Sequence, residues 1–300
     1  MLSPEVLKVE VKEICQKLET FIRRKLEENR RSGAVVGLSG GLDSSVVVAL
    51  CARSLGADKV KGLILPERDT HRRHIRDAQL VARKFNIHTH TINLRRILRK
   101  LKVYQLVPSP FFFPRSVQEN YVKKRYHNLQ TRLGKPLYFI SLTNAEYPEF
   151  YAPVAFYRAK NRLRMLVLYL YAEKENLLVV GTINRTEWLT GFFVKYGDGA
   201  ADIMPLVRLY KSQVLQIASY LEIPSEIMAK PPSPDLIPGL NDEDILGINY
   251  TTLDLILYGI EKNLPLSVIA SALSLPPERV YYFQELIKFS QIFRNSAEFP

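Results

Sequence analysis

The 300 residues predict an α/β fold with a doubly wound parallel sheet, on three observations. Short apolar runs of strand length alternate with helical patterns through the first third of the chain. The first run, Ala34–Leu38, ends in Ser39-Gly-Gly-Leu-Asp-Ser-Ser45 and passes straight into a second apolar run, Val46–Ala52. A later run, Leu177–Gly181, again leads into a helical segment. Parallel strands joined by helices, with ligand loops at their carboxyl ends, give this pattern.

The elements follow in order. From Glu5 to Glu28, apolar residues fall at Leu7, Val11, Ile14, Leu18, Phe21, Ile22 and Leu26, a helical spacing with one apolar stripe. Ala34–Leu38 is the first strand, Ser44–Ser54 the first helix of the sheet unit and Val60–Leu65 the second strand. Thr70–Phe85 reads as a helix and Ile87–Ile92 as a third strand. Residues 104–157 break the rhythm with proline and aromatic clusters, including Phe111–Phe113, and read as an inserted lid or subunit contact. A helix from about Ala155 to Glu173 leads to the fourth strand, Leu177–Gly181, and another helix opens near Asn184. From Tyr210 onward the pattern is helical, with a C-terminal part over about 242–293, apart from the proline-rich loop Lys230–Asp242. One domain spanning residues 1–300 is expected, with neither repeats nor low-complexity tracts.

Composition narrows the class. With 47% hydrophobic residues the chain buries a substantial core, and it contains no uninterrupted apolar run of about 18 residues, the length a membrane helix needs. Cys15 and Cys51 stand far apart in helical patterns with no CxxC, which suits buried free thiols in a reducing cytoplasm. A net charge of +12 suits a polyanionic ligand such as ATP or a dinucleotide, and it would also suit RNA. Five histidines are present, and His88 and His90 share one face of a strand, but no third ligand stands at metal-binding spacing.

The Ser39–Ser45 loop carries chemistry of its own. A strand running into a glycine turn and then a helix leaves backbone N–H groups unpaired, with the positive end of the helix dipole behind them. Gly40 and Gly41 let the backbone approach phosphate oxygens, and Ser39, Ser44 and Ser45 add hydroxyl donors. A carboxylate beside polyphosphate is repelled unless a cation lies between them, so Asp43 is a candidate Mg²⁺ ligand. The loop holds no lysine, which separates it from the Walker A pattern.

A second stretch, residues 181–205, begins where the fourth strand ends: Gly-Thr-Ile-Asn-Arg-Thr-Glu-Trp-Leu-Thr-Gly-Phe-Phe-Val-Lys-Tyr-Gly-Asp-Gly-Ala-Ala-Asp-Ile-Met-Pro. With the Ser39–Ser45 loop, it closely resembles the NAD synthetases of the PP-loop ATP pyrophosphatase group. Arg162-Leu-Arg-Met165, Leu209-Tyr-Lys-Ser-Gln213 and Lys230-Pro-Pro-Ser-Pro-Asp-Leu236 extend the match, which covers about residues 5–290 outside the interior of 104–157. The resemblance implies an adenine nucleotide alpha hydrolase-like fold. It also implies an ammonia-dependent ligase that activates deamido-NAD with ATP as an acyl-adenylate, releases pyrophosphate, then forms NAD and AMP.

Carried over residue by residue, the resemblance gives Mg²⁺ to Asp43 and Glu187, and ATP and pyrophosphate to Ser39, Gly40, Gly41, Asp43, Ser44, Ser45, Thr182, Lys211 and Ser233. Arg162, Arg164, Lys195 and Asp198 fall to the dinucleotide, and Asp198 and Lys211 to catalysis, Asp198 binding the pyridine end or taking a proton from ammonium. Duller readings stand beside these. Glu187 fits a solvated first-turn residue, Asp198 between two glycines fits a turn, and Arg162 and Arg164 cannot share one helix face. Lys211 at a helix start opposes the dipole, which argues for an anion nearby.

The family also implies a homodimer with its site at the subunit boundary; the stripe over residues 7–26 and the aromatic insertion are the candidate contacts. Phe111–Phe113 and Tyr121 are candidates to cover the substrate. No glutaminase fits in the chain, so nitrogen comes from free ammonia or a separate glutaminase subunit. One departure stands out: relatives usually end in a His-Lys-Arg cluster, where this chain has Ser290-Gln-Ile-Phe-Arg-Asn-Ser296 and only Arg294 corresponds. Three alternatives follow: a PP-loop enzyme adenylating a different carboxylate, one acting on an RNA base, or a nucleotide-binding regulatory protein. The missing CxxC and RNA-binding module argue against nucleic acid.

Overall fold

Four parallel strands, β1 (Gly33–Gly37), β2 (Val60–Ile64), β3 (His88–Thr91) and β4 (Leu177–Val180), form one sheet in the order β3-β2-β1-β4. The computed structural model describes residues 2–107, 115–133, 136–143, 147–231 and 239–294. β1 and β4 are near-continuous apolar runs because helices cover both sheet faces. Alternate side chains serve opposite cores: Ala34 and Val36 face one, Val35 the other. On the first face lie α1 (Val11–Glu28), α2 (Leu42–Leu55), α3 (Arg72–Lys84) and α9 (Lys211–Tyr220). On the second lie α4 (Arg95–Lys100) and α7 (Tyr151–Glu175), which contribute Leu98, Leu163, Met165 and Leu168. β3 is an exposed edge, and its His-Thr-His-Thr sequence gives that edge polar side chains.

A third core belongs to the helical C-terminal part: α11 (Asp242–Leu246), α12 (Tyr250–Glu261), α13 (Leu266–Leu273) and α14 (Pro277–Arg294). The insertion is helical, with α5 (Arg115–Leu133) and α6 (Leu137–Thr143), and it docks on that third core. Tyr126 Oη donates to the Ile245 carbonyl at 3.2 Å, and Tyr138 Oη donates to the carbonyl of Thr190 in α8 (Arg185–Thr190) at 3.0 Å. A short helix, α10 (Ser225–Met228), precedes Lys230. Among the described residues, no helix is long and apolar enough to cross a membrane.

Several expectations need correction. The helix expected from Glu5 begins at Val11, after a separate 3-10 turn over Pro4–Leu7. Leu7 therefore joins the C-terminal core while Ile14 and Ile22 join the sheet core, so one continuous stripe is not what the chain builds. The α1 stripe packs against the molecule's own sheet core, which removes it as the expected subunit contact. α7 starts at Tyr151, earlier than expected, and α4 was not expected at all. Beyond β4, a lone parallel bridge pairs Val180 with Ile203, a strand stub too short to read from sequence. Phe111–Phe113 and Ser233 lie outside the described residues.

Candidate active site

Strand order reverses between β1 and β4, and the crevice beyond their carboxyl ends is where open α/β sheets bind ligands. A cavity of about 1660 Å³ occupies it. Ser39, Gly41, Asp43, Ser44, Thr182, Arg164, Glu187, Asp198 and Lys211 all line its wall, so most of the expected site residues converge on one space.

The phosphate loop braces itself. Ser44 Oγ and Ser45 Oγ donate to the Gly41 carbonyl at 3.1 and 2.7 Å, and the Gly41 N–H donates to Ser39 Oγ at 3.2 Å. Ser45 is fully buried and does not line the cavity; its hydroxyl shapes the turn. Gly40, at φ +76°, is also off the cavity wall and packs on α3, where a Cβ would lie 2.3 Å from the His74 carbonyl oxygen.

Asp43, in the first turn of α2, is held on both sides. Its Oδ1 accepts from Asn184 Nδ2 at 3.0 Å, and its Oδ2 pairs with the Lys211 ammonium. Asn184 also anchors Glu187: its Oδ1 accepts from the Glu187 N–H at 3.0 Å, while Glu187 Oε2 accepts from the Asn184 N–H at 3.1 Å. This reciprocal N-cap of α8 leaves one buried asparagine tying the two acidic residues together. Glu187 is therefore no solvated first-turn residue. Burial first, and then the Asp43 carboxylate, push its carboxyl well above the ordinary range.

Asp242, which opens α11, adds a third acid. It is 4% exposed; Tyr250 Oη donates to its Oδ2 at 2.9 Å and its buried Oδ1 has no hydrogen-bond partner among the described residues. Burial raises its carboxyl to about 6. Burial opposes the Lys211 ammonium, but Asp43, Glu187 and Asp242 together hold its pKa above the usual value. Three carboxylates against one ammonium, with one oxygen left unpaired, fit a divalent cation. Among the described residues no group of three or more His, Cys, Asp or Glu side chains forms a ready metal cage.

Lys211 is positioned from behind. Its N–H donates to Thr186 Oγ1 at 3.0 Å, Thr186 donates to Asp254 Oδ1 at 2.5 Å, and the Ser212 N–H donates to Asp254 Oδ2 at 2.8 Å. The lysine tolerates a helix start because its charge is spent on Asp43 rather than on the dipole.

Farther along the cavity, Asp198 Oδ1 accepts from the Val194 N–H at 2.9 Å and from Asn161 Nδ2 at 3.3 Å, and burial raises its carboxyl to about 6. Arg164, whose Nη1 donates to Asn161 Oδ1 at 3.2 Å, faces the same cavity. Arg162 and Lys195 are not brought in. Arg162 is exposed and donates to the Lys195 carbonyl, and Lys195 Nζ donates to the Ile292 carbonyl at 3.4 Å. Arg294 donates to the Ile287 carbonyl near the end of α14. Tyr121 stands on the cavity wall with its side chain largely exposed.

Sequence reasoning missed Asn184, Asp242 and a second ionic cluster beside the cavity. There Lys160, fully buried, pairs with Glu67 Oε1 at 3.0 Å and Asp69 Oδ2 at 2.6 Å, while Arg68 pairs with Asp69 and Tyr104 Oη donates to Glu67 Oε2 at 2.9 Å. The Asn184-x-x-Glu187 spacing was a readable helix-start signal; nothing local marks Lys160 or Asp242.

The NAD synthase family model matches residues 14–142 and 138–297. The NH(3)-dependent NAD(+) synthetase of Thermotoga neapolitana is 43% identical over 280 residues, covering 93% of each chain, and that of Methanocaldococcus jannaschii is 36% identical over 290 residues, covering 97% of each. Among solved structures, the NMN synthetase from Francisella tularensis superposes with a TM-score of 0.72 at 30% identity, covering 98% of this chain and 99% of its own. The NH3-dependent NAD synthetase from Campylobacter jejuni, at 23% identity, shares the fold with a TM-score of 0.70, covering 97% and 100%. The chain belongs to the NAD synthase family.

Proposed function

We propose that the chain is an ammonia-dependent ligase that converts deamido-NAD to NAD, with ATP cleaved to AMP and pyrophosphate. The observation that carries this reading is the single cavity in which Asn184 ties Asp43 to Glu187 while Lys211 faces both. An anionic carboxylate attacking the α-phosphorus of ATP needs its charge screened and its partners held in line. Asp43 and Glu187 are the residues that would hold Mg²⁺, which supplies Lewis-acid screening of the phosphates. The N–H groups and hydroxyls of Ser39, Gly41 and Ser44 receive the departing pyrophosphate, and Lys211 neutralises charge at the reacting phosphate. Thr182, following β4, and Ser233 belong to the same nucleotide set. The resulting mixed anhydride is attacked by ammonia at the acyl carbon, AMP leaves, and Asp198 takes the proton released by nitrogen. Arg164 supports the dinucleotide.

The alternatives adenylating another carboxylate or an RNA base are not favoured by the relatives. The test is purified protein with MgATP, ammonium and deamido-NAD, with the mononucleotide acid as competitor. Formation of NAD, AMP and pyrophosphate in equal amounts is expected; ADP, or no product, overturns the reading.

Arg162 and Lys195 act, on this reading, across a homodimer contact. Arg162, Leu166 and Leu170 lie at successive helical turns on one exposed stripe of α7, with Tyr196 nearby in sequence to Lys195; Leu166 and Leu170 are 66% and 60% exposed. Light scattering is expected to give a dimer that L166E/L170E converts to a monomer with weakened dinucleotide binding; a wild-type monomer contradicts this. Nitrogen arrives as free ammonia or from a separate glutaminase subunit. The buried thiols Cys15 and Cys51, raised by burial to about 11 and about 12, suit the cytoplasm.

A further inference from the structure

Lys230 does something that its sequence neighbours do not disclose. Its ammonium donates to the Gly40 carbonyl at 3.0 Å, donates to His74 Nδ1 at 3.2 Å, and lies 2.5 Å from Asp77 Oδ2. The Lys230 and Asp77 side chains are only 12% and 9% exposed. A solvated lysine does not gather two hydrogen-bond acceptors and a carboxylate from two separate elements.

The position of Gly40 makes this contact consequential. Across a trans peptide the Gly40 carbonyl and the Gly41 N–H point in opposite directions. With the carbonyl held by Lys230, the N–H reaches Ser39 Oγ on the cavity wall. Glycine on both sides makes rotation of this peptide plane sterically cheap, and rotation would turn a carbonyl oxygen toward an incoming phosphate. α3 blocks the loop from moving as a whole, since a Gly40 Cβ would meet the His74 carbonyl oxygen and, at 2.9 Å, the Ala78 nitrogen. Rotation of the 40–41 plane is opposed by the Lys230 bond at the carbonyl and by the Ser39 Oγ bond at the N–H.

We propose that Lys230, held by Asp77, is a positioning residue that locks the Gly40–Gly41 peptide with its N–H toward the cavity and so sets the affinity of the loop for pyrophosphate. This rests on the pyrophosphate reading of the loop given above. Asp77 also pairs with Arg73 at 3.9 Å, and toward the loop it acts through Lys230. The prediction therefore separates this role from that of a lysine that itself grips phosphate, which would be freed by loss of Asp77.

The experiment is calorimetric titration of wild type, K230M, K230R and D77N with magnesium pyrophosphate, with melting temperatures and steady-state kinetics on the same preparations. K230M is expected to weaken pyrophosphate about tenfold, the size of one charge-assisted hydrogen bond, and to raise the KM for MgATP while the KM for deamido-NAD stays put. K230R restores part of the affinity, and D77N weakens it in the same direction by a smaller factor. Unchanged affinity in K230M, or affinity in D77N equal to or tighter than wild type, overturns the proposal. Absence of pyrophosphate and MgATP binding in the wild type overturns the loop reading itself, and this inference with it.

Discussion

Two ionic clusters adjoin the cavity, and they are built to opposite specifications. On the β2 side, Lys160 and Arg68 meet Glu67 and Asp69, charges balance, and Tyr104 satisfies a remaining carboxylate oxygen. On the β1 and β4 side, Asp43, Glu187 and Asp242 face, among the described residues, Lys211 as their one cation, and an Asp242 oxygen has no hydrogen-bond partner there. A balanced buried cluster holds a wall in place, whereas one with surplus negative charge is stable only with a cation that arrives with the ligand. Under the proposed function the first cluster is structural and the second takes part in the chemistry.

The largest expected effect lies in the second cluster. D43N should lower kcat/KM for NAD formation at least a hundredfold, roughly, while the melting temperature of the apo protein holds or rises because one repelling charge is gone. Equal loss of stability and activity would make Asp43 structural and erase the contrast. The mirror experiment is K160M, which removes the buried ammonium that Glu67 and Asp69 share. It should cost about 3–5 kcal/mol in denaturant unfolding, and its magnesium affinity, measured on folded protein, should match wild type. A variant as stable as wild type would contradict the assignment.

The pH dependence sharpens the comparison. Asp198, Asp242 and Asp254 are raised to about 6 from ordinary values near 4, so between those values the folded protein binds more protons than the unfolded chain. Their ionisation penalises the folded state fully above about pH 6, and the penalty is relieved as pH falls toward 4. Asp69 in the balanced cluster is held below its ordinary value, so its contribution persists through this window and is lost only at lower pH. The metal-free melting temperature should therefore rise from pH 7 to pH 5, with a smaller rise in D198N, whose amide keeps an acceptor for the Val194 N–H. A fall over that range would contradict the sign. The smallest effect is expected at the exposed rim: Y121A should raise the KM for deamido-NAD by no more than a few-fold, a figure of order 1 kcal/mol or less.

What the sequence disclosed follows the range of its interactions. The sheet, α2 and the phosphate loop are written locally, in apolar runs, glycine spacing and strand length, and they were legible within a residue or two. Asp43, Lys211 and Glu187 were legible because each sits in a motif at a strand or helix end. Asn184 was half legible, since its capping spacing is local but its bond to Asp43 spans 141 residues. Lys160 was not, because a lysine in an amphipathic helix reads as solvated until Glu67 and Asp69 arrive from 93 and 91 residues away. The α1 stripe misled for the reverse reason: periodicity reports that a face is covered without saying by what, and the cover is the protein's own sheet core.

The account stands on one divalent ion shared by Asp43 and Glu187. The most direct measurement is anomalous diffraction from crystals grown with Mn²⁺ and a non-hydrolysable ATP analogue. A manganese peak within ligand distance of both carboxylates, bridging to the phosphates, is the expected result. A peak bound by neither, or by one carboxylate with the other turned to Lys211, would contradict it.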